Sequence, residues 1–317
     1  MIPLSVNLMP DGPVGQVVDL ARLAEQRGYR RCWVYDEGVH TRDVYVTLSA
    51  IAGATERIGL GPGITNPYVR HPGATASAVA TLDELSGGRA FVGLGAGGAL
   101  TLGPLAVDRV APLAAVEATI SGMRRLFQGE RVTMEAPTFG LDRAHLAYAR
   151  PDIEIFVAGR GPKMTEAGGR LGDGFYLSYI HKDLLGHHVA RLRDAAGDRP
   201  FTVVWSTAVA WTEAEVEAVR AQLTFRLVDS PAEVRDRLGL DDSTRDAIRE
   251  ALADGGPPAA AHLIDPDWVD AFALVGSPAE CAAELERVAA AHGIDEFLLP
   301  VQDLDAGAEL IERMLPA

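Results

Sequence analysis

Read for the alternation of apolar and polar positions, the chain repeats one unit: a short apolar run, a polar turn, then a segment whose apolar residues recur at the helical period. Leu4–Leu8 reads as a strand, and Val14–Arg27 as a helix with Val17, Val18, Leu20, Ala21 and Leu23 on its apolar face. The pairing recurs at Arg31–Tyr35 with Asp43–Thr55, at Ile58–Leu60 with Pro72–Leu85, and at Ala90–Leu94 with a helix over 112–127. It continues at Ile153–Ala158 with Pro162–Arg170, Gly174–Ser178 with Leu184–Ala196, and Phe201–Trp211 with Thr212–Leu223. A helix over Pro278–His292 precedes the last strand, Glu296–Pro300. Two stretches break the rhythm. Residues 130–150 alternate in short segments around Pro137 and Gly140, which predicts a hairpin excursion. Residues 229–267 are rich in charge, glycine and proline (DDSTRD, ADGGPP) and read as a mobile insertion. Eight strand-then-helix units in 317 residues predict an α/β fold, a (β/α)8 TIM barrel with small insertions, as one domain over 1–317. A doubly wound open sheet is the alternative that the same pattern permits.

Composition narrows the partners. The chain is 48% hydrophobic and 23% charged, the profile of a globular protein with an ample core. Its formal net charge of −15 disfavours nucleic acid and anionic membrane, both of which need a basic footprint. A small anionic ligand is still open, because a nest of backbone N–H groups can hold one. Cys32 and Cys281 fall in different elements and suggest no disulfide framework. The N-terminal MIPLSVNLMPDG lacks a basic segment followed by a long apolar core, and no run of about 20 apolar residues occurs. The expected location is the cytoplasm.

In a barrel of this type the reactive groups sit on the loops that follow the strands. The first loop offers Asp11, which reads as a helix N-terminal residue. The second, YDEGVHTRD, brings Asp36, Glu37 and His40 together, with Asp43 as the cap of the next helix. Two adjacent carboxyls and an imidazole can move protons once burial and mutual charge shift their pKa values. The third, GLGPGITNPYVRHPG, spends four glycines and three prolines on a short connection. Gly61-Pro62-Gly63 suits a main chain with positive φ that approaches a ligand closely. The fourth, GLGAGG, carries no acidic residue in the context a dinucleotide fingerprint needs, so Gly95, Ala96, Gly97 and Gly98 read as a flat floor for a ring or phosphate. The fifth, AGRGPKM, ends a strand and starts a helix at Pro162, giving an anion site from free N–H groups with Arg160 and Lys163. Trp33, Tyr35, Tyr68, Phe175, Tyr176 and Tyr179 serve either as core or as pocket wall. Zinc-ligand and G-x-S-x-G patterns are absent from the sequence, so no metal is expected and an α/β-hydrolase is disfavoured.

The segments GLGPGITNPYVRHPGATASAVATLDELSGGRAFVGLGAGG (59–98) and VAGRGPKMTEAGGRLGDGFYLS (157–178) resemble the bacterial luciferase-like superfamily. Within it the likeness is to the deazaflavin-dependent branch typified by methylenetetrahydromethanopterin reductase. It runs over most of the chain and is weakest over 224–267. The resemblance implies a non-prolyl cis peptide at Gly63–Ile64, forming a bulge that backs the central ring of coenzyme F420, with Thr65 and Asn66 on the same wall. It implies further that Gly95–Gly98 pass under the ring or its side chain. Gly161, Pro162, Lys163 and Met164 would hold the cofactor phosphate, and Asp36 would touch the ring's edge. Two departures stand out: Gly98 replaces an acidic residue that many relatives carry, and Asp36-Glu37 followed by His40 replaces an Asp-His pair. Glu37 or His40 is the expected proton donor. The implied activity is hydride transfer between the deazaflavin C5 and an activated C=C or C=N of a small molecule. The alternatives are a reduced-FMN monooxygenase served by a partner reductase, and a non-enzymatic cofactor-binding member. Barrels of this family commonly pair through their early helices, so a homodimer is expected.

Overall fold

In the computed structural model, which describes residues 2–228 and 230–314, the apolar runs pair side by side. Met1, Asp229 and residues 315–317, which the expected domain and insertion limits include, lie outside the described residues. The strands Leu4–Leu8 (β1), Arg31–Val34 (β2), Gly59–Pro62 (β3), Phe91–Leu94 (β4), Glu154–Ala158 (β5), Gly174–Ser178 (β6), Thr202–Ser206 (β7) and Glu296–Val301 (β8) form one parallel sheet in the order β3-β2-β1-β8-β7-β6-β5-β4. Bridges Leu60–Ala90 and Thr65–Leu94 join the two edge strands and close the barrel, which settles the fold against an open sheet. Closure removes exposed edges, and the near-continuous apolar strands are those of a sheet buried on both faces.

Alternate residues of each strand point into the barrel, and they sort into layers. At the N-terminal end Arg31 pairs with Glu296 and, at 2.8 Å, with Glu154, while the Ser5 hydroxyl donates to Glu296 at 2.5 Å. Above this polar layer, Trp33, Phe91, Phe156, Tyr176, Val204 and Leu298 fill the bore. The Trp33 ring centre lies 4.5 Å from that of Phe91 and 5.1 Å from that of Phe156. Ile64 rests on this plug, half-buried at the C-terminal mouth. A ligand entering the mouth therefore stops at Ile64.

Three elements differ from the sequence pattern or refine it. Phe201–Trp211 is not one strand: β7 ends at Ser206, and Val209–Ala210 pairs outside the barrel with Leu274–Val275. The apolar run persists because Ala208 and Ala210 are buried in that outer ribbon as fully as a strand would be. The hairpin excursion forms as expected, Val132–Glu135 antiparallel to Gly140–Ala144. The charge-rich segment within 229–267 is helical where described, with Ala232–Leu238, Asp242–Ala260, kinked at Gly256, and Pro266–Phe272. Val234, Ile248, Ala260 and Val269 are buried, so a sparse apolar face fixes helices that bulk composition hides.

Candidate active site

The third loop owes its chemistry to crowding. The Gly63–Ile64 peptide is cis, as the resemblance implied. The Gly63 N–H donates to the Val34 carbonyl at 2.7 Å, and the Asn7 side-chain amide donates to the Gly63 carbonyl at 2.7 Å. On the far side Thr65 N–H reaches the Gly93 carbonyl at 2.9 Å, and Gly95 N–H reaches the Thr65 carbonyl at 3.0 Å. Neither Gly61 nor Gly63 has a positive φ, which overturns that expectation. They are glycines for lack of room: a Cβ on Gly61 would lie 2.3 Å from the Phe91 carbonyl oxygen, and one on Gly63 2.6 Å from Trp33 Cβ. Gly95 is pressed in the same way, its Cβ position only 2.3 Å from Ile64 Cδ1. The fourth loop thus supports the bulge from behind, and Ile64 presents its free side to the mouth. Beyond it Ala96 and Gly97 are half-buried, Gly97 has φ 69°, and Gly98 is exposed.

The second loop hangs over this bulge. Burial raises the Asp36 pKa, partly offset by the nearby Thr65 hydroxyl, Arg70 and the Gly38 N–H. Burial raises the Glu37 pKa as well, the Asp36 charge adds to it, and the Thr101 hydroxyl and His40 offset part of it. Thr101 Oγ1 donates to Glu37 Oε2 at 2.5 Å. His40 ends the turn Gly38–His40 and is exposed. Asp43 caps the helix Val44–Ala52, its carboxylate accepting from the Tyr45 and Val46 N–H groups at 3.0 Å each. Asn66 is buried and spends its side-chain oxygen on the Tyr68 and Val69 N–H groups, so it shapes the turn after the bulge. Thr65 is fully buried. Behind Asp36, Tyr45 Oη, Thr65 Oγ1, Thr75 Oγ1 and Arg70 Nε have no hydrogen-bond partner among the described residues, and the Arg70 guanidinium sits 4.8 Å from the Tyr45 ring centre.

The fifth loop leads into the helix Pro162–Leu171, whose N-cap, Gly161, supplies no side-chain bond. The Lys163 and Met164 N–H groups lie in the first turn, where the helix offers no acceptor. Arg160, Gly161, Pro162 and Lys163 are exposed, and Met164 is half-buried over Gly159. A groove of about 720 Å³ runs from Arg160 and Pro162 past His188 and Arg191 to Val234. The loops therefore gather the bulge, the two carboxyls and the glycine floor at one mouth, with the helix start at its rim. Asn7, Tyr45 and Thr75 belong to this assembly and were not singled out from the sequence. Asn7 had a signal, being an amide in the middle of the apolar strand LSVNL. Tyr45 and Thr75 had none, since helix residues facing a loop look like ordinary core.

A closed parallel barrel with ionisable groups and a shaped backbone at its C-terminal mouth is an enzyme architecture. The chain belongs to the luciferase-like monooxygenase family, whose model matches residues 3–296. It is similar to the 5,10-methylenetetrahydromethanopterin reductase of Methanolobus tindarius, 33% identical over 295 residues that cover 89% of each chain. It also resembles an F420-dependent glucose-6-phosphate dehydrogenase of Beutenbergia cavernae, 37% identical over 166 residues that cover 48% of this chain and 49% of that one. Among solved structures, the coenzyme F420-dependent tetrahydromethanopterin reductase of Methanopyrus kandleri matches with a TM-score of 0.87 at 25% identity, covering 99% of this chain and 98% of that one. No helix among the described residues is long and apolar enough to cross a membrane.

Proposed function

We propose that the protein is an F420-dependent oxidoreductase that moves a hydride between the deazaflavin and a small molecule with an activated C=C or C=N bond. One observation carries this reading: Ile64, packed on the Trp33 plug and against Gly95, gives the mouth an apolar step edged by two carboxyls of raised pKa. A flat tricyclic ring fits such a step, and the relatives named F420-dependent agree with it. Ile64 would back the ring, with Thr65 and Asn66 fixing the wall and Gly95, Ala96, Gly97 and Gly98 passing beneath. Gly161, Pro162, Lys163 and Met164 would take the phosphate at the helix start, with Arg160 beside them and the 720 Å³ groove leading onward. Bound there, the cofactor supplies or accepts a hydride at C5.

The chain's own part is geometry and the proton. Asp36 would meet the polar edge of the ring. Glu37, protonated to a higher pH than a free carboxyl, would give its proton to the substrate atom beside the one that takes the hydride, and exposed His40 would reload it. We place the protein in the cytoplasm, where its two free, buried cysteines need no oxidising environment. We also propose a homodimer, because Val39 and Val46, on and beside the second helix, are 64% and 65% exposed.

The test is a titration of the purified protein with F420 and with FMN, each oxidised and reduced, followed by absorbance and fluorescence. Micromolar F420 binding with FMN ignored is the expected result. Preference for reduced FMN would instead make this a monooxygenase that needs a partner reductase. Tight F420 binding without turnover on any acceptor would leave a cofactor-binding protein.

A further inference from the structure

A second set of polar groups lies at and beyond the C-terminal ends of β2, β6, β7 and β8, and hydride transfer does not use it. Tyr35 follows β2, Tyr176 lies in β6, and Tyr179 comes just after it; burial raises the pKa of Tyr35 and of Tyr179, and the neighbouring Tyr176 adds to both. At Tyr35, hydrogen bonding with Gln302, which follows β8, offsets part of that rise. Ser206 ends β7 two residues past Val204, which lies in the bore, so its side chain points inward. It is fully buried, and its Oγ has no hydrogen-bond partner among the described residues. Tyr179 is held at φ 50°, a conformation an L-residue keeps only where its surroundings fix it. Its hydroxyl donates to Gln222 at 3.2 Å, and the Arg226 guanidinium carbon lies 3.4 Å from its ring centre.

Arg226 is the deciding residue. The wall arginines Arg31, Arg124, Arg150 and Arg193 each have a carboxylate within 3.0 Å. Arg226, half-buried in the helix Glu213–Val228, has none within ion-pairing distance among the described residues. The chain carries 44 acidic residues against 29 Lys and Arg, so acceptors are not scarce, yet none among the described residues pairs with this guanidinium. Stacking on Tyr179 occupies the face of the guanidinium and leaves its N–H edge for a planar, bidentate acceptor. The Tyr35 phenol, which burial keeps protonated, adds a neutral donor, and a neutral donor binds a carboxylate without competing for its charge; Tyr179, whose hydroxyl is spent on Gln222, serves as the stacking platform for Arg226.

We propose that Arg226, Tyr35, Tyr179, Gln302 and Ser206 form a carboxylate-binding subsite, so that the substrate is a small organic acid whose reducible bond is held over Ile64. The choice of reacting bond rests on the hydride-transfer reading; the acid preference does not. The probes are benzoate, cinnamate and crotonate, each paired with its primary amide. They are titrated calorimetrically into the protein alone and into the protein with F420. At least one acid is expected to bind about tenfold or more tighter than its amide, the size of one charge-assisted contact. Arg226→Gln should erase that preference, Arg226→Lys keep part of it, and Tyr35→Phe weaken it, with the thermal melt of each variant confirming that it folds. The proposal fails if every acid binds no better than its amide in both forms, or if Arg226→Gln keeps the preference. If acids are preferred but F420 does not bind, the hydride-transfer reading falls and the subsite stands.

Discussion

Glu37 is where the chemistry can be titrated. Burial raises its pKa, so in the direction of substrate reduction the rate should fall as pH rises through that raised value. Glu37→Gln should abolish that limb and lower kcat by about 10²–10⁴-fold, the range for a lost general acid. A pH–rate profile of both proteins checks this; an unchanged limb in the variant would move the role to Asp36, whose pKa is raised by the same cause. The same shift acts on stability. The folded state holds the Glu37 proton more tightly than the unfolded chain, so this contribution is full below the unfolded pKa and is lost as pH rises through the folded one. Gly95 offers a second test at this scale. A methyl group there would meet Ile64 Cδ1 at 2.3 Å, so Gly95→Ala must push Ile64 into the mouth. The expected outcome is at least about tenfold weaker F420 binding in a fluorescence titration, the size of a misfit costing ~1.4 kcal/mol, with the melting temperature little changed.

Among the elements, the helix Pro162–Leu171 carries the clearest expectation. Its first turn has free N–H groups and, in Lys163, a cation with no carboxylate within ion-pairing distance among the described residues. Lys163→Ala should weaken F420 by about five- to tenfold, the scale of one partly exposed cation beside a helix N-terminus. Binding of the phosphate-free deazaflavin should not change, and added salt should narrow the gap between wild type and variant. Equal losses for both ligands would remove the phosphate role from this helix. The strand–helix rhythm and the anion-type loop were legible because both depend on local order: apolar spacing, a glycine stop, a proline at the first helical turn. The split of 201–211 into a barrel strand and an outer ribbon was not, because both halves are buried and apolarity does not say against what.

At the scale of the whole barrel, closure rests on a polar layer as well as an apolar plug. Glu296 is fully buried and depends on Arg31 and Ser5. Arg31→Met would leave its buried carboxylate with only the half-exposed Arg30, at 3.7 Å, and Ser5, and the unfolding free energy measured in urea should drop by about 3 kcal/mol. The double replacement Arg31→Met with Glu296→Leu should recover most of that loss, since two apolar groups leave no unpaired charge. A double variant as unstable as the single one would mean that the layer contributes more than this pairing. Sedimentation at micromolar concentration tests the proposed homodimer; a monomer, or a dimer untouched by Val46→Glu, would discard the surface around Val39 and Val46.

The sequence by itself determined the barrel and the order of its loops, which follow from periodicity along the chain, and its resemblance to a known family implied the cis bulge. It also pointed to Asp36 and Glu37, which share one loop. Only the tertiary structure decided why Gly61, Gly63 and Gly95 are glycines, since the atoms that exclude a side chain there belong to Phe91, Trp33 and Ile64 on other strands and loops. It alone brought Asn7 to the bulge and set Arg226 against Tyr179. Those partners are separated by tens of residues along the chain, and nothing in local spacing records which strand ends will meet when a sheet closes.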